Sequence, residues 1–213
     1  MDALNTALFW LDYAAVAVFA ATGALAAARL RQDFITFTFF AAITGVGGGT
    51  LRDLLIGAPV FWVHRPGYIM VCVAMAGLIW FVGGRGWRFR ALLWLDALGM
   101  AAYAVVGTAK ALSLGVPPFS AMIMGVLTTA FGGVIRDVLA GEPNLLLRRD
   151  IYITAALLGA ATFAGLKLTG LSFWPAAIPA FVLAFGLRAA AIRFHLRLPA
   201  FQGAQKDLPS HHS

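Results

Sequence analysis

Hydrophobic positions along this chain form unbroken runs of roughly 20 residues, with no alternating stripes, and each run closes on a short cluster of Arg, Gly, Pro or Asp. Seven runs are read, at 8–28, 34–56, 68–84, 91–112, 118–140, 151–169 and 173–194. The breaks between them are Arg29-Leu-Arg31-Gln-Asp33, 59–66, Gly83-Gly-Arg-Gly86, Pro117-Pro118, 143–150 and Thr169-Gly170. Proline and clustered glycine oppose continuation of a helix, and two of these breaks carry such turn chemistry. A bilayer core needs about 20 apolar residues per helical crossing. The pattern predicts an all-α integral membrane protein with seven transmembrane helices, followed by a polar cytoplasmic tail at 195–213.

Composition agrees and decides orientation. Only 12% of the 213 residues are charged and 61% are hydrophobic, against about 25% charged in soluble domains. The net charge of +7 invites a nucleic-acid reading, but its distribution removes it. Arg29, Arg31, Arg85, Arg88, Arg90, Arg148, Arg149, Arg193, Arg197 and Lys206 fall on one side of the seven spans, Arg65 and Lys167 on the other. The positive-inside rule then puts the N-terminus outside and the C-terminus in the cytoplasm, in a cell inner (plasma) membrane. Trp10, Trp62, Trp80, Trp87, Trp94 and Trp174 fall near the expected interfaces, as an aromatic belt does. The first ten residues lack a basic segment and a small-residue cleavage site, so no removable signal is expected. Cys72 is the one cysteine, so no intrachain disulfide can form.

The chain matches itself at a single offset. Leu11-Asp12 falls on Leu95-Asp96, Gly23 on Gly107, Gly48-Gly49 on Gly132-Gly133 and Arg52-Asp53 on Arg136-Asp137. Gly57 and Pro59 fall on Gly141 and Pro143, Arg65 on Arg149, and Tyr68-Ile69 on Tyr152-Ile153. Every pair differs by 84, with no gap. Each copy, 8–84 and 91–169, holds three spans, so the second crosses the membrane inverted relative to the first. The run 173–194 has no counterpart. Inverted repeats place function near the midplane between the copies.

Glycines interrupt the second and fifth runs, ITFTFFAAITGVGGGTLRDLLIG and SAMIMGVLTTAFGGVIRDVLAG. Each glycine in a helix costs about 1 kcal/mol against alanine. The clusters Gly47-Gly48-Gly49 and Gly132-Gly133 therefore predict a kink or a short unwound stretch, tolerable at membrane depth only beside a cavity. Freed carbonyls there, with the hydroxyls of Thr44, Thr50, Thr128 and Thr129, can replace water around a cation. The competing reading is packing, because Gly45-x-x-x-Gly49 lets two helices approach closely. A dinucleotide-binding loop is excluded: Thr50 stands where a third glycine is needed, and no strand precedes.

Charges near the runs supply candidate gates or pore mouths. Adjacent residues do not face each other on a helix, so Arg52-Asp53 and Arg136-Asp137 are expected to pair with other helices or to snorkel to the interface. Asp12 and Asp96 begin their runs, as cation attractors at opposite mouths or as partners of the helix dipole. Lys110 has Ala26 at its equivalent position, and reads as a gate, a headgroup contact or a snorkelling lysine. His64 and His195 lack a ligand cluster, so no metal is expected. No nucleophile–base pair or phosphate loop is present, so no enzyme is expected.

The duplicated three-span unit with GGxxRD, plus a seventh span, resembles the prokaryotic branch of the TRIC family (trimeric intracellular cation channels) over about residues 8–195. The resemblance implies a homotrimer with a pore in each protomer, permeable to monovalent cations, chiefly potassium, with sodium a further candidate. It implies that the second and fifth helices bend at Gly47, Gly48, Gly49, Gly132 and Gly133 to form that pore. Phe131 stands where the first copy has Gly47, a departure that predicts unequal halves. Membrane lipid is a candidate ligand near Lys110, Arg52 and Arg136, and no cofactor is implied. The same unit also carries a glycine-transporter label, which keeps a carrier of small zwitterions as the alternative to a passive channel; a scaffold whose glycines only pack is the third reading.

Overall fold

Seven α-helices follow the seven apolar runs. The computed structural model describes residues 2–82, 88–142 and 151–196. The helices are α1 (Asp2–Arg29), α2 (Phe34–Leu55), α3 (Gly67–Val82), α4 (Arg88–Ser113), α5 (Pro118–Leu139), α6 (Ile153–Leu168) and α7 (Phe173–Phe194). The largest difference from expectation is at the start of α1, which begins six residues before its apolar run. Hydropathy marks where a helix enters apolar surroundings, and a helix can continue beyond that point into polar sequence. Five helices are long and apolar enough to cross a bilayer. α6, with 16 residues, is about 24 Å long. Arg85, Trp87, Arg148, Arg149, Arg197, Lys206, the 143–150 break and nearly all of the polar tail lie outside the described residues.

The two repeats build matching triplets. α1 packs on α2 and α3, α4 packs on α5 and α6, and the triplets meet through α1 against α4 and α2 against α5. α7 lies against α4 and α6. Small side chains make the central approach possible: Ala15, Ala20, Ala24 and Ala27 on α1, and Ala97, Ala101, Ala104 and Ala111 on α4, are buried. Phe19 and Tyr103, 84 residues apart, stack with ring centroids 5.3 Å apart. A residue touching its own repeat counterpart lies at the axis that relates the copies, so these rings mark it.

Local chemistry ends equivalent helices in the same way. Gly57 (φ +68°) follows α2 and Gly141 (φ +62°) follows α5, both left-handed. Beyond them the Ala58 amide donates to the Asp53 carbonyl at 2.9 Å, and the Glu142 amide to the Asp137 carbonyl at 3.0 Å. This is the Schellman closure, where a residue with a Cβ would be strained. Pro59, one residue beyond Ala58, cannot continue a helix. At its start α2 is capped by Asp33, whose carboxylate accepts from the Thr36 amide at 2.9 Å. That bond holds the Asp33 carboxyl below its usual range.

Candidate functional site

α2 and α5 cross at their glycines, and they do so as unbroken helices. A Cβ on Gly48 would run into the Thr128 carbonyl oxygen, and one on Gly132 would lie 2.6 Å from the Thr44 carbonyl oxygen. The contacts are each other's repeat equivalents. The expected unwound stretch is therefore absent, and the glycines bring two backbones together within the helix bundle. Helical hydrogen bonding survives because the glycines lower side-chain bulk without removing an amide. Gly23 and Gly107 extend the arrangement: a Cβ on either would collide with α2 at Phe40 and Thr44, or with α5 at Gly125 and Thr128.

The four threonines separate by role. The Thr50 hydroxyl donates to the Val46 carbonyl at 2.7 Å and accepts from Trp62 Nε1 at 2.9 Å. The Thr128 hydroxyl donates to the Met124 carbonyl at 2.5 Å. Among the described residues, Thr44 Oγ1 and Thr129 Oγ1 are buried without a hydrogen-bond partner. Gly47 and Thr50 face a different space, an apolar groove of about 250 Å³ shared with Val46, Phe131 and Ile135. The Gly47-to-Phe131 departure between the repeats is thus accommodated in one groove. A Cβ on Gly49 would meet the Phe61 ring, whereas Gly133 has ordinary contacts near Arg136 and Asp96.

Beyond the crossing, toward the N-terminal end of α1, lies the first charged cluster. Arg52 and Asp53 are fully buried, and Arg52 Nε donates to Asp53 Oδ1 at 2.9 Å. Lys110 Nζ lies 2.9 Å from Asp53 Oδ1 and donates to Oδ2 at 3.0 Å, where the Phe61 amide also donates. Arg52 and Lys110 both sit over the Phe61 ring, 5.9 and 5.4 Å from its centroid. Asp12 is buried midway along α1, and its Oδ2 accepts from the Tyr68 hydroxyl at 3.3 Å. An open cavity of about 540 Å³ reaches Asp12, Tyr68, Lys110, Phe61 and Arg65 from this side.

The second cluster is the repeat equivalent, near the opposite end of the bundle. Arg136 Nη1 donates to Asp96 Oδ1 at 2.7 Å and to Thr22 Oγ1 at 3.0 Å, while its Nε donates to Asp137 Oδ1 at 2.9 Å. All three charged residues are buried. The Tyr152 hydroxyl donates to the Thr129 carbonyl at 3.4 Å. Arg188 of α7 is buried with its guanidinium 5.1 Å from the centre of the Tyr152 ring.

Three sequence expectations are corrected here. The expected pairing with other helices is present, Arg136 with Asp96 and Asp53 with Lys110, but each Arg–Asp pair also bridges adjacent residues. A long arginine can fold back until its Nε meets the next carboxylate, which two short side chains could not do. Arg52 and Arg136 do not snorkel, because neighbouring helices cover both. Asp12 and Asp96 do not neutralise helix starts; each lies more than two turns inside its helix. Charge at this depth is stabilised only by partners, and both clusters are built to supply them. Sequence reasoning missed Tyr68, Thr22 and Arg188. Tyr68 was visible as a repeat match with Tyr152, and Arg188 as an arginine within an apolar run; Thr22 has Val106 as its counterpart and left no signal.

A family model described as "Glycine transporter" matches residues 9–83 and again 93–167. The two segments are offset by 84, like the internal repeat. The chain is 37% identical over 198 residues to inner membrane protein YadS of Escherichia coli (strain K12), covering 91% of this chain and 96% of that protein. Its fold is similar to that of the TRIC trimeric intracellular cation channel orthologue from Rhodobacter sphaeroides, with a TM-score of 0.87 and 46% identity, covering 90% of this chain and 100% of that one. It is similar also to a prokaryotic TRIC channel crystallised in 0.5 M KCl, with a TM-score of 0.83 and 26% identity over 91% and 100% of the two chains.

Proposed function

The chain belongs to the TRIC family, and from that premise we propose that it is a passive channel for monovalent cations, chiefly potassium, and not an enzyme. It works as a homotrimer with a pore within each protomer, in the cell's inner membrane, N-terminus outside. The observation that carries this reading is a series of buried oxygens without hydrogen-bond partners among the described residues: Asp12 Oδ1, Thr44 Oγ1, Thr129 Oγ1 and Asp96 Oδ2. Ordered by depth along their helices, they lead from the open cavity through the α2–α5 crossing to the second cluster. Oxygens that lack donors can take the place of a cation's hydration shell. Arg52 Nη1 and Nη2 and Arg136 Nη2 also lack acceptors, so a guanidinium stands beside the path at each end and limits how tightly a cation is held.

The crossing at Gly48, Thr128, Gly132 and Thr44 is closed by backbone contact, so conduction requires α2 and α5 to part there. Asp12 draws cations into the cavity, and Lys110 and Arg65 moderate that attraction. Passage is tested with purified protein in a planar bilayer under a potassium chloride gradient. Discrete openings that reverse near the potassium equilibrium potential are expected. The glycine-transporter description of the family model favours a second reading, a carrier for a small zwitterion. Electrical silence with saturable glycine uptake into proteoliposomes would establish the carrier in place of the channel.

A further inference from the structure

The two ends of the bundle are equivalent by repeat and different in state. At the open end, Ala58, Lys110 and Ser113 line the cavity together with Val106. Their counterparts at the other end, 84 residues away, are Glu142, Ala26, Arg29 and Thr22. Two of these form an ion pair: Arg29 Nη2 donates to Glu142 Oε1 at 2.7 Å, with side-chain exposures of 27% and 29%. The Arg29 guanidinium also lies 5.0 Å from the centre of the Phe89 ring. The pair joins the end of α1, in the first repeat, to Glu142, three residues beyond α5, in the second. Behind it Thr22 lies two turns deeper on the same face of α1 and accepts from Arg136. At the open end, alanine and serine occupy the positions of this pair, and nothing of opposite charge ties the repeats at those two places.

We propose that the Arg29–Glu142 ion pair is a latch that holds shut the mouth at the C-terminal end of α1. Its release lets that end open into a cavity equivalent to the one above Lys110. The proposal rests on the channel reading for its consequence, conduction, but not for its geometry. A partly exposed pair of this kind is weak enough to break thermally. It biases the mouth without locking it, so a variant lacking it should shift the open population roughly fivefold.

The test uses the full chain carrying Cys72→Ala and Ala26→Cys. Ala26 is the buried counterpart of Lys110, so a thiol there reports whether the second cavity forms. Arg29→Glu and Glu142→Arg are introduced singly and together, and a membrane-impermeant thiol reagent is applied from the C-terminal side. Each single variant is expected to label about fivefold faster, and the charge-swapped double variant to return to the parent rate. Arg29→Gln, which places no new charge, serves as the milder variant and should also label faster. Equal labelling rates in all variants would overturn the latch. Latch-dependent labelling without current in any variant would support the latch and defeat the channel reading.

Discussion

Arg136 and Asp96 lie 2.7 Å apart in full burial, and this contact is the firmest difference between the halves of the molecule. In the first repeat, Arg52 binds Asp53, while Asp12 is held by Tyr68 and faces an open cavity. The same residues at the same spacing thus occupy a closed and an open arrangement within one chain.

Breaking the closed contact should be costly. Arg136→Ala leaves Asp96 and Asp137 buried without their guanidinium, and removing one partner of a buried pair destabilises by about 3–5 kcal/mol. Thermal unfolding in detergent should show a large loss for Arg136→Ala. Combining it with Asp96→Asn should recover part of that loss, because one stranded charge is gone. Additive losses in the double variant would contradict the pairing.

The glycines divide into tight and tolerant positions. Gly48→Ala meets a backbone carbonyl that cannot swing away, so it should destabilise by about 1–3 kcal/mol. Gly47→Ala meets only the Ile135 Cδ1 atom at 3.0 Å, at the end of a side chain that can adjust, and should be nearly neutral. Gly48→Leu places a far larger side chain at the same contact and bears on both conduction and assembly. With the backbones in contact, both are expected to fail, and size-exclusion profiles together with bilayer currents will show it.

Asp12 and Lys110 should act on permeation with opposite signs. Asp12→Asn removes negative charge from the cavity and is expected to lower cation over anion selectivity, read from the reversal potential in a salt gradient. Lys110→Met removes positive charge and is expected to raise cation conductance, while Lys110→Arg retains it. Asp53 keeps Arg52 and the Phe61 amide when Lys110 is replaced, so the variant should fold. Unchanged reversal potential in Asp12→Asn would remove that carboxylate from the path.

Orientation has its own readout. Gln32→Cys lies in the α1–α2 turn and Ser113→Cys at the end of α4, on opposite sides of the bundle. In intact cells an impermeant thiol reagent should reach Ser113→Cys and spare Gln32→Cys. The reverse pattern would turn the molecule over and refute the charge-based orientation.

Much of this architecture is legible in the sequence because a bilayer makes few demands, and run length meets the main one. The helices α2, α5 and α7 fall within one residue of their apolar runs, and the 84-residue repeat discloses the inversion. The site is legible only in part. Gly48 and Gly132 stand out, yet sequence cannot tell whether a glycine breaks its own helix or admits a neighbour; that depends on the partner carbonyls of Thr128 and Thr44. The pairing of Arg52 with Asp53 defeated a rule derived from exposed helix faces, because burial leaves the guanidinium few other directions. Thr22 was invisible because it serves the other repeat and is not itself repeated.

The 16-residue helix α6 bears on the surrounding lipid. At about 24 Å, α6 is shorter than the roughly 30 Å hydrocarbon core, while α1 and α4 exceed it. Acyl chains beside α6 must therefore compress or tilt to match it. Such mismatch costs fractions of a kcal/mol per Å. The thickness of the host membrane consequently enters the molecule's own conformational balance, and shorter-chain lipids favour whichever arrangement exposes α6 most.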